Sequence, residues 1–130
     1  MTTHRNEFAQ YCCELLSTVG ICVAKRMFGG YGISTDGMSI AIVADLGDGE
    51  KLWLKSSADT AKLFENAGCE RFTYTVKGTL KTMAYYSAPN EAMESITEMA
   101  YWARLALDAA LLARSKNLYS ATCVMSGDFR

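Results

Sequence analysis

The chain has 130 residues, half of them hydrophobic, with 13 basic and 14 acidic side chains and a net charge of −1. That length supports one domain with a real core and is short for two ordinary ones. The near-neutral balance offers no global attraction to a polyanion or an anionic membrane, and the pairs Lys25 with Arg26 and Lys77 with Lys81 are too small to form a patch, so direct DNA contact is not expected.

The five cysteines, at 12, 13, 22, 69 and 123, form an odd set without a Cys-x-x-Cys, and His4 is the single histidine. Zinc asks for clustered Cys and His ligands, and a disulfide scaffold asks for an even set. Reduced thiols in a cytoplasmic protein fit best. The polar stretch Met1 to Asn6 reads as neither a signal peptide nor a membrane span.

In chain order, Phe8, Tyr11, Cys12, Leu15, Leu16 and Val19 repeat at the spacing of one helical face. Thr3 is the expected N-cap and Gly20 the expected stop. The period then changes to two. A strand is expected from Ile21 to Phe28, running into the glycine bend Gly29-Gly30-Tyr31-Gly32 and resuming through Ile33 and Ser34. Asp36-Gly37 signals a hairpin, since both residues tolerate the positive φ of a tight reversal. Met38 to Asp45 is apolar at nearly every position, as in a strand covered on both faces. The acids Asp45, Asp48 and Glu50 miss the spacing of a calcium loop and read as a solvated hairpin tip. Lys51 to Lys55 completes a three-strand meander, with Leu52 and Leu54 on one face and Trp53 on the other.

Ser56 to Asp59 reads as a helix start, with a short helix ending at Gly68. Phe72, Tyr74 and Val76 alternate with Thr73, Thr75 and Lys77, and Gly78 turns that strand back into Lys81 to Tyr86. After Pro89, Ser95 and Glu98 form a capping box for the longest helix, whose inner stripe is Met99, Trp102, Ala103, Ala106, Ala110 and Ala113. The expected class is α+β: a five-stranded antiparallel sheet with packed helices, in the order α-β-β-β-α-β-β-α. Residues 1–114 make the domain. The tail, 115–130, is neither periodic nor strongly charged, yet it holds Leu118, Tyr119, Val124, Met125 and Phe129, as would a segment docked on this or a neighbouring chain.

Three glycines among the four residues Gly29 to Gly32 mark a place where backbone geometry governs. Two nucleotide motifs were tested there and fail. The dinucleotide fingerprint lacks its third glycine, and Met38 stands where a phosphate loop needs lysine. The corner therefore reads as a bulge or tight bend. No nucleophile with a base, no paired carboxylates and no metal set is evident, so no enzyme, cofactor or metal is expected.

The combination of Arg-Met-Phe-Gly-Gly-Tyr-Gly (26–32), Leu-Trp-Leu-Lys (52–55), Phe-Glu-Asn-Ala-Gly (64–68), Phe-Thr-Tyr (72–74), Met-Ala-Tyr-Tyr (83–86), Pro89 and Trp-Ala-Arg-Leu-Ala (102–106) resembles the N-terminal domain of the TfoX/Sxy competence regulators. The resemblance covers about residues 5 to 114. It implies a sandwich-like fold of the secretion-chaperone type and a bacterial, cytoplasmic regulator of DNA-uptake genes that acts with a cyclic-AMP-responsive transcription activator. Two-domain members of that family continue into a helix-hairpin-helix-like domain.

The leading expectation is a regulatory protein-interaction module, a homodimer, whose docking surface is shaped by Arg26, Met27, Phe28, Gly29, Gly30, Tyr31 and Gly32, with Trp102 behind them. A second is a small-ligand pocket between the sheet and the last helix, lined by Trp53, Tyr85 and Trp102. A third, weaker one is base stacking on Phe72, Tyr74, Tyr85 and Tyr86.

Overall fold

The computed structural model describes the backbone of residues 3–27 and 29–127 and the side chains of residues 7–27 and 29–115. The chain runs α1 (Thr3–Leu15), β1 (Cys22–Met27), β2 (Gly30–Thr35), β3 (Met38–Asp45), β4 (Glu50–Lys55), α2 (Ala61–Asn66), β5 (Arg71–Val76), β6 (Thr79–Ser87) and α3 (Ile96–Gly127). Short 3-10 turns at Ser17–Val19 and Asn90–Glu94 lead out of α1 and into α3.

The antiparallel α+β class holds, but the sheet has six strands in the order β1-β2-β3-β4-β6-β5, not five. The correction lies at the glycine corner. A strand was expected to pass through it with a bend, whereas the chain reverses there, pairing Met27 with Gly30 and Arg26 with Tyr31. With a two-residue connection and Gly29 at φ +73°, the corner is a hairpin turn, so the meander has four strands. Two other tight reversals follow the expected chemistry: Asp36 and Gly37 both have positive φ, as do Lys77 and Gly78.

All three helices pack on one face of the sheet. There Cys12 and Leu15 of α1 with Leu16 just after it, Phe64 of α2, and Met99, Ala103 and Ala106 of α3 enclose Ile33, Val43, Leu52, Leu54 and Tyr86. The alanines let α3 approach β3 and β4 closely, as expected of a small-residue stripe. Its start is capped as the sequence indicates, the Glu98 amide donating to Ser95 Oγ at 3.2 Å. Its end is a correction: the helix was expected to stop near residue 114, and its backbone continues to Gly127. The tail is therefore helical rather than irregular up to that point; the docking expected of its side chains lies outside the described residues. The side chain of Thr3, the expected cap of α1, lies outside them too.

The start of α2 also differs from the expected serine cap. Thr60 Oγ1 accepts the Ser57 amide at 2.9 Å, and the Ser57 carbonyl accepts the amides of Thr60 and Ala61. Its end is the expected glycine stop, with Gly68 at φ +81° and the Cys69 amide closing on the Phe64 carbonyl. Phe64 is the anchor of this region. It stacks on Tyr86 with ring centroids 5.3 Å apart and lies 5.1 Å from the Trp102 ring. The Tyr86 hydroxyl donates to Glu65 Oε2 at 2.6 Å, tying β6 to α2. Phe64→Ala should cost about 3–5 kcal/mol, read by urea unfolding, because a fully buried ring held between two aromatic neighbours leaves a cavity that cannot collapse.

Candidate interaction surface

Strand parity sends alternate residues to the sheet's other face, which carries no described helix. Ile42, Trp53, Phe72 and Tyr85 form a second apolar cluster there, flanked by Ala44, Tyr74 and Met83. Phe72 meets the Trp53 ring edge-on at 5.0 Å, and the Trp53 indole N–H donates to the Ala44 carbonyl at 3.3 Å. These side chains are buried although no helix covers them, so the sheet itself must curl.

Two features explain the curl. The register shifts between Ile33 and Ser34 and between Arg71 and Thr73, and such bulges sharpen the local twist. The β5–β6 hairpin also joins the meander through a short seam, Trp53 to Ser87, Leu54 to Tyr86 and Lys55 to Tyr85. It swings over the open face and brings Phe72, Tyr74 and Met83 into one cavity with Met27, Gly30 and Leu46, enclosing about 460 Å3. The result is an apolar trough with the glycine corner as one wall and the last hairpin as the other.

The floor of the trough explains the glycines. A Cβ on Gly30 would stand 2.1 Å from the Val43 carbonyl oxygen, an impossible approach to another strand's backbone. A Cβ on Gly32 would stand 2.8 Å from Met27 Sδ, the movable end of a flexible side chain. Met27 therefore lies across Gly32, where it remains 43% exposed.

Of the residues expected to act together, Met27, Gly29, Gly30 and Tyr31 do line the trough, and Gly32 underlies Met27. Arg26 pairs with Tyr31 on the exposed edge strand. Phe28 lies outside the described residues. Trp102 is not brought to the corner: it sits on α3, on the opposite face of the sheet, against Phe64 and Tyr101. The same parity corrects the second expectation. Trp53 and Tyr85 face the trough and Trp102 faces the helix layer, so the three cannot line one pocket between sheet and helix. The aromatic row also divides, Phe72, Tyr74 and Tyr85 on one face and Tyr86 on the other. Sequence reading missed the contribution of Met83 and Leu46, which no local pattern connects to the glycine corner.

The sequence profile of the TfoX N-terminal domain matches residues 14–110, from the very end of α1 to the last stretch of α3 packed on the sheet. The chain belongs to the TfoX N-terminal domain family. Among curated proteins it is similar to the DNA transformation protein TfoX1 of Aliivibrio fischeri, with 31% identity over 62 residues, 48% of this chain and 28% of that protein. The chain thus spans less than a third of that relative's length in the match. Every residue that builds the trough falls within the matched TfoX segment.

The reactive groups of this TfoX-type domain are arranged for packing. Among the described residues no group of His, Cys, Asp and Glu is clustered to hold a metal ion. Asp45 Oδ1 accepts the amides of Gly47 at 2.8 Å and Gly49 at 3.1 Å, so the acidic hairpin tip folds on its own carboxylate. Burial, with the nearby Cys13 and Glu50, pushes the Cys12 thiol up to about 12; burial foremost pushes Cys22 up to about 11 and raises Cys13 and Cys69. No described helix is long and apolar enough to cross a membrane.

Two outcomes test this account. Gly30→Ala should lose about 2–3 kcal/mol or more in urea unfolding, while Gly32→Ala stays within about 1 kcal/mol of wild type, because backbone cannot yield and a methionine tip can. Equal losses would contradict the close approach of β2 to β3. Thermal stability should also fall as pH rises above about 9, where the unfolded thiols ionise and the native ones stay protonated. Replacing Cys12 with alanine should flatten that slope, whatever it does to stability at neutral pH.

Proposed function

We propose that the protein is a non-enzymatic regulatory interaction domain of the TfoX/Sxy type, acting in the control of DNA-uptake genes, with the trough as its docking surface for a protein partner. The observation that carries this reading is the trough itself, a concave apolar face walled by Met27, Tyr74 and Met83 over a glycine floor. Stable protein docking centres on a few apolar and aromatic anchors seated in such a recess. The name of the Aliivibrio fischeri relative supports a link to DNA transformation, the family resemblance supplies a cyclic-AMP-responsive activator as the partner and the cytoplasm as the setting, and the exposed Tyr101, Leu111 and Leu112 of α3 support a homodimer. The absence of catalysis in this reading is supported by thiols held protonated and by the Asp45 carboxylate spent on its own turn.

The test is complementation of a deletion strain, reading transcripts of DNA-uptake genes and transformation frequency. Met27→Asp and Tyr74→Ser should each lower both readouts, with a loss of about 2 kcal/mol, roughly 30-fold, in partner affinity. Leu80→Ser, an exposed apolar residue on β6 outside the trough, should leave them unchanged. Normal transcripts in folded Met27→Asp and Tyr74→Ser strains would overturn the docking role. An unaffected deletion strain would overturn the link to DNA uptake.

A further inference from the structure

A second cavity, of about 510 Å3, opens where the β2–β3 turn and the end of β4 meet α3. Its volume lies in the range of small-molecule sites. Asp36 comes from the turn, Ser39 from β3, Lys55 from β4, and Ala110, Ala113 and Arg114 from one side of α3. The two alanines leave the space, since any larger side chain at those positions would reach toward the sheet.

Two lining side chains are cationic, and neither has an acidic partner among the described residues. The ion pairs among the described residues join Lys51 to Asp48 and Glu70, and Arg104 to Asp108. Lys55 is half-buried. Its Nζ stands 5.3 Å from the centre of the Tyr85 ring, and the Tyr85 hydroxyl meets Ser39 Oγ at 3.3 Å. The ring thus fixes Lys55 at the cavity beside a hydroxyl able to donate a hydrogen bond. Arg114 supplies a planar fork of donors suited to phosphate or carboxylate oxygens. Asp36 opposes them with one negative charge.

We infer that this cavity binds a small organic anion, its phosphate or carboxylate group held by Lys55 and Arg114 and its apolar part resting on Ala110 and Ala113. The inference is independent of the docking role of the trough, which shares no lining residue with this cavity. Arg114 falls beyond the residues matched to the family, whereas Lys55 lies within them.

The full chain, labelled with 15N, is titrated with adenosine monophosphate, with succinate, and with adenosine as the neutral control. Saturable shifts are expected at the amides of Ser39 and Ala110 with one or both anions and not with adenosine. The anion that binds tells phosphate from carboxylate recognition. Arg114→Gln, on an exposed side chain, should weaken binding about tenfold, and Lys55→Met should weaken it at least as much. Asp36→Asn should tighten it severalfold by removing the opposing charge, and asparagine tolerates the positive φ of that turn position. The inference fails if neither anion shifts those amides up to about 10 mM, if adenosine acts alike, or if the three variants bind as wild type.

Discussion

The approach of β2 to β3 at Gly30 is the constraint on which the rest of the molecule depends. With hydrogen in place of a side chain, the backbone at Gly30 can pass against the Val43 carbonyl. The turn through Gly29 then becomes a tight hairpin rather than a bend, and β1 is delivered as an edge strand beside β2. Tyr31, one residue on, enters the helix-side core opposite Val43, while Met27 is left on the other face with nothing beneath it but Gly32. One missing Cβ therefore sets the strand count, anchors the core and empties the floor of the trough.

The two faces of the sheet solve different problems with the same alternation. On one face, helices bring alanines and a few large side chains, and Phe64 locks α2, β6 and α3 together through Tyr86 and Trp102. On the other, no described helix is present, and the sheet buries its own aromatics by curling at its bulges and at the short β4–β6 seam. A sheet that covers itself leaves a concave remainder. The trough is that remainder, and its walls come from opposite ends of the sheet.

The family assignment and the geometry bear on different questions. Membership of the TfoX N-terminal domain family covers the whole sheet and the glycine corner within it. The cavity at Lys55 and Arg114 joins a side chain inside the matched segment to one beyond it. The domain therefore presents two unlike recesses, an apolar one on the open face and a cationic one at the end of α3, with no lining residue in common.

Local chemistry made much of this legible in the amino-acid order. The Asp36-Gly37 and Gly78 reversals, the Ser95 cap, the glycine stop after α2, the alanine stripe of α3 and the split of Leu52 and Leu54 from Trp53 are all decided within a few residues, by φ preferences, hydrogen-bonding reach and strand parity. The glycine corner was legible as architecture, but whether the chain bends or reverses there depends on how near β3 lies, and no neighbouring residue encodes that distance. The length of α3 was misjudged for the opposite reason, since the polar stretch after Arg114 carries no stop signal and a helix once nucleated extends at little cost. Sequence by itself thus determined the elements, their faces and the family. Tertiary structure alone decided the sixth strand, the separation of Trp102 from Trp53 and Tyr85, and the meeting of Met27 with Tyr74 and Met83, because those depend on which strands become neighbours and how far a sheet curls, quantities set by long-range pairing.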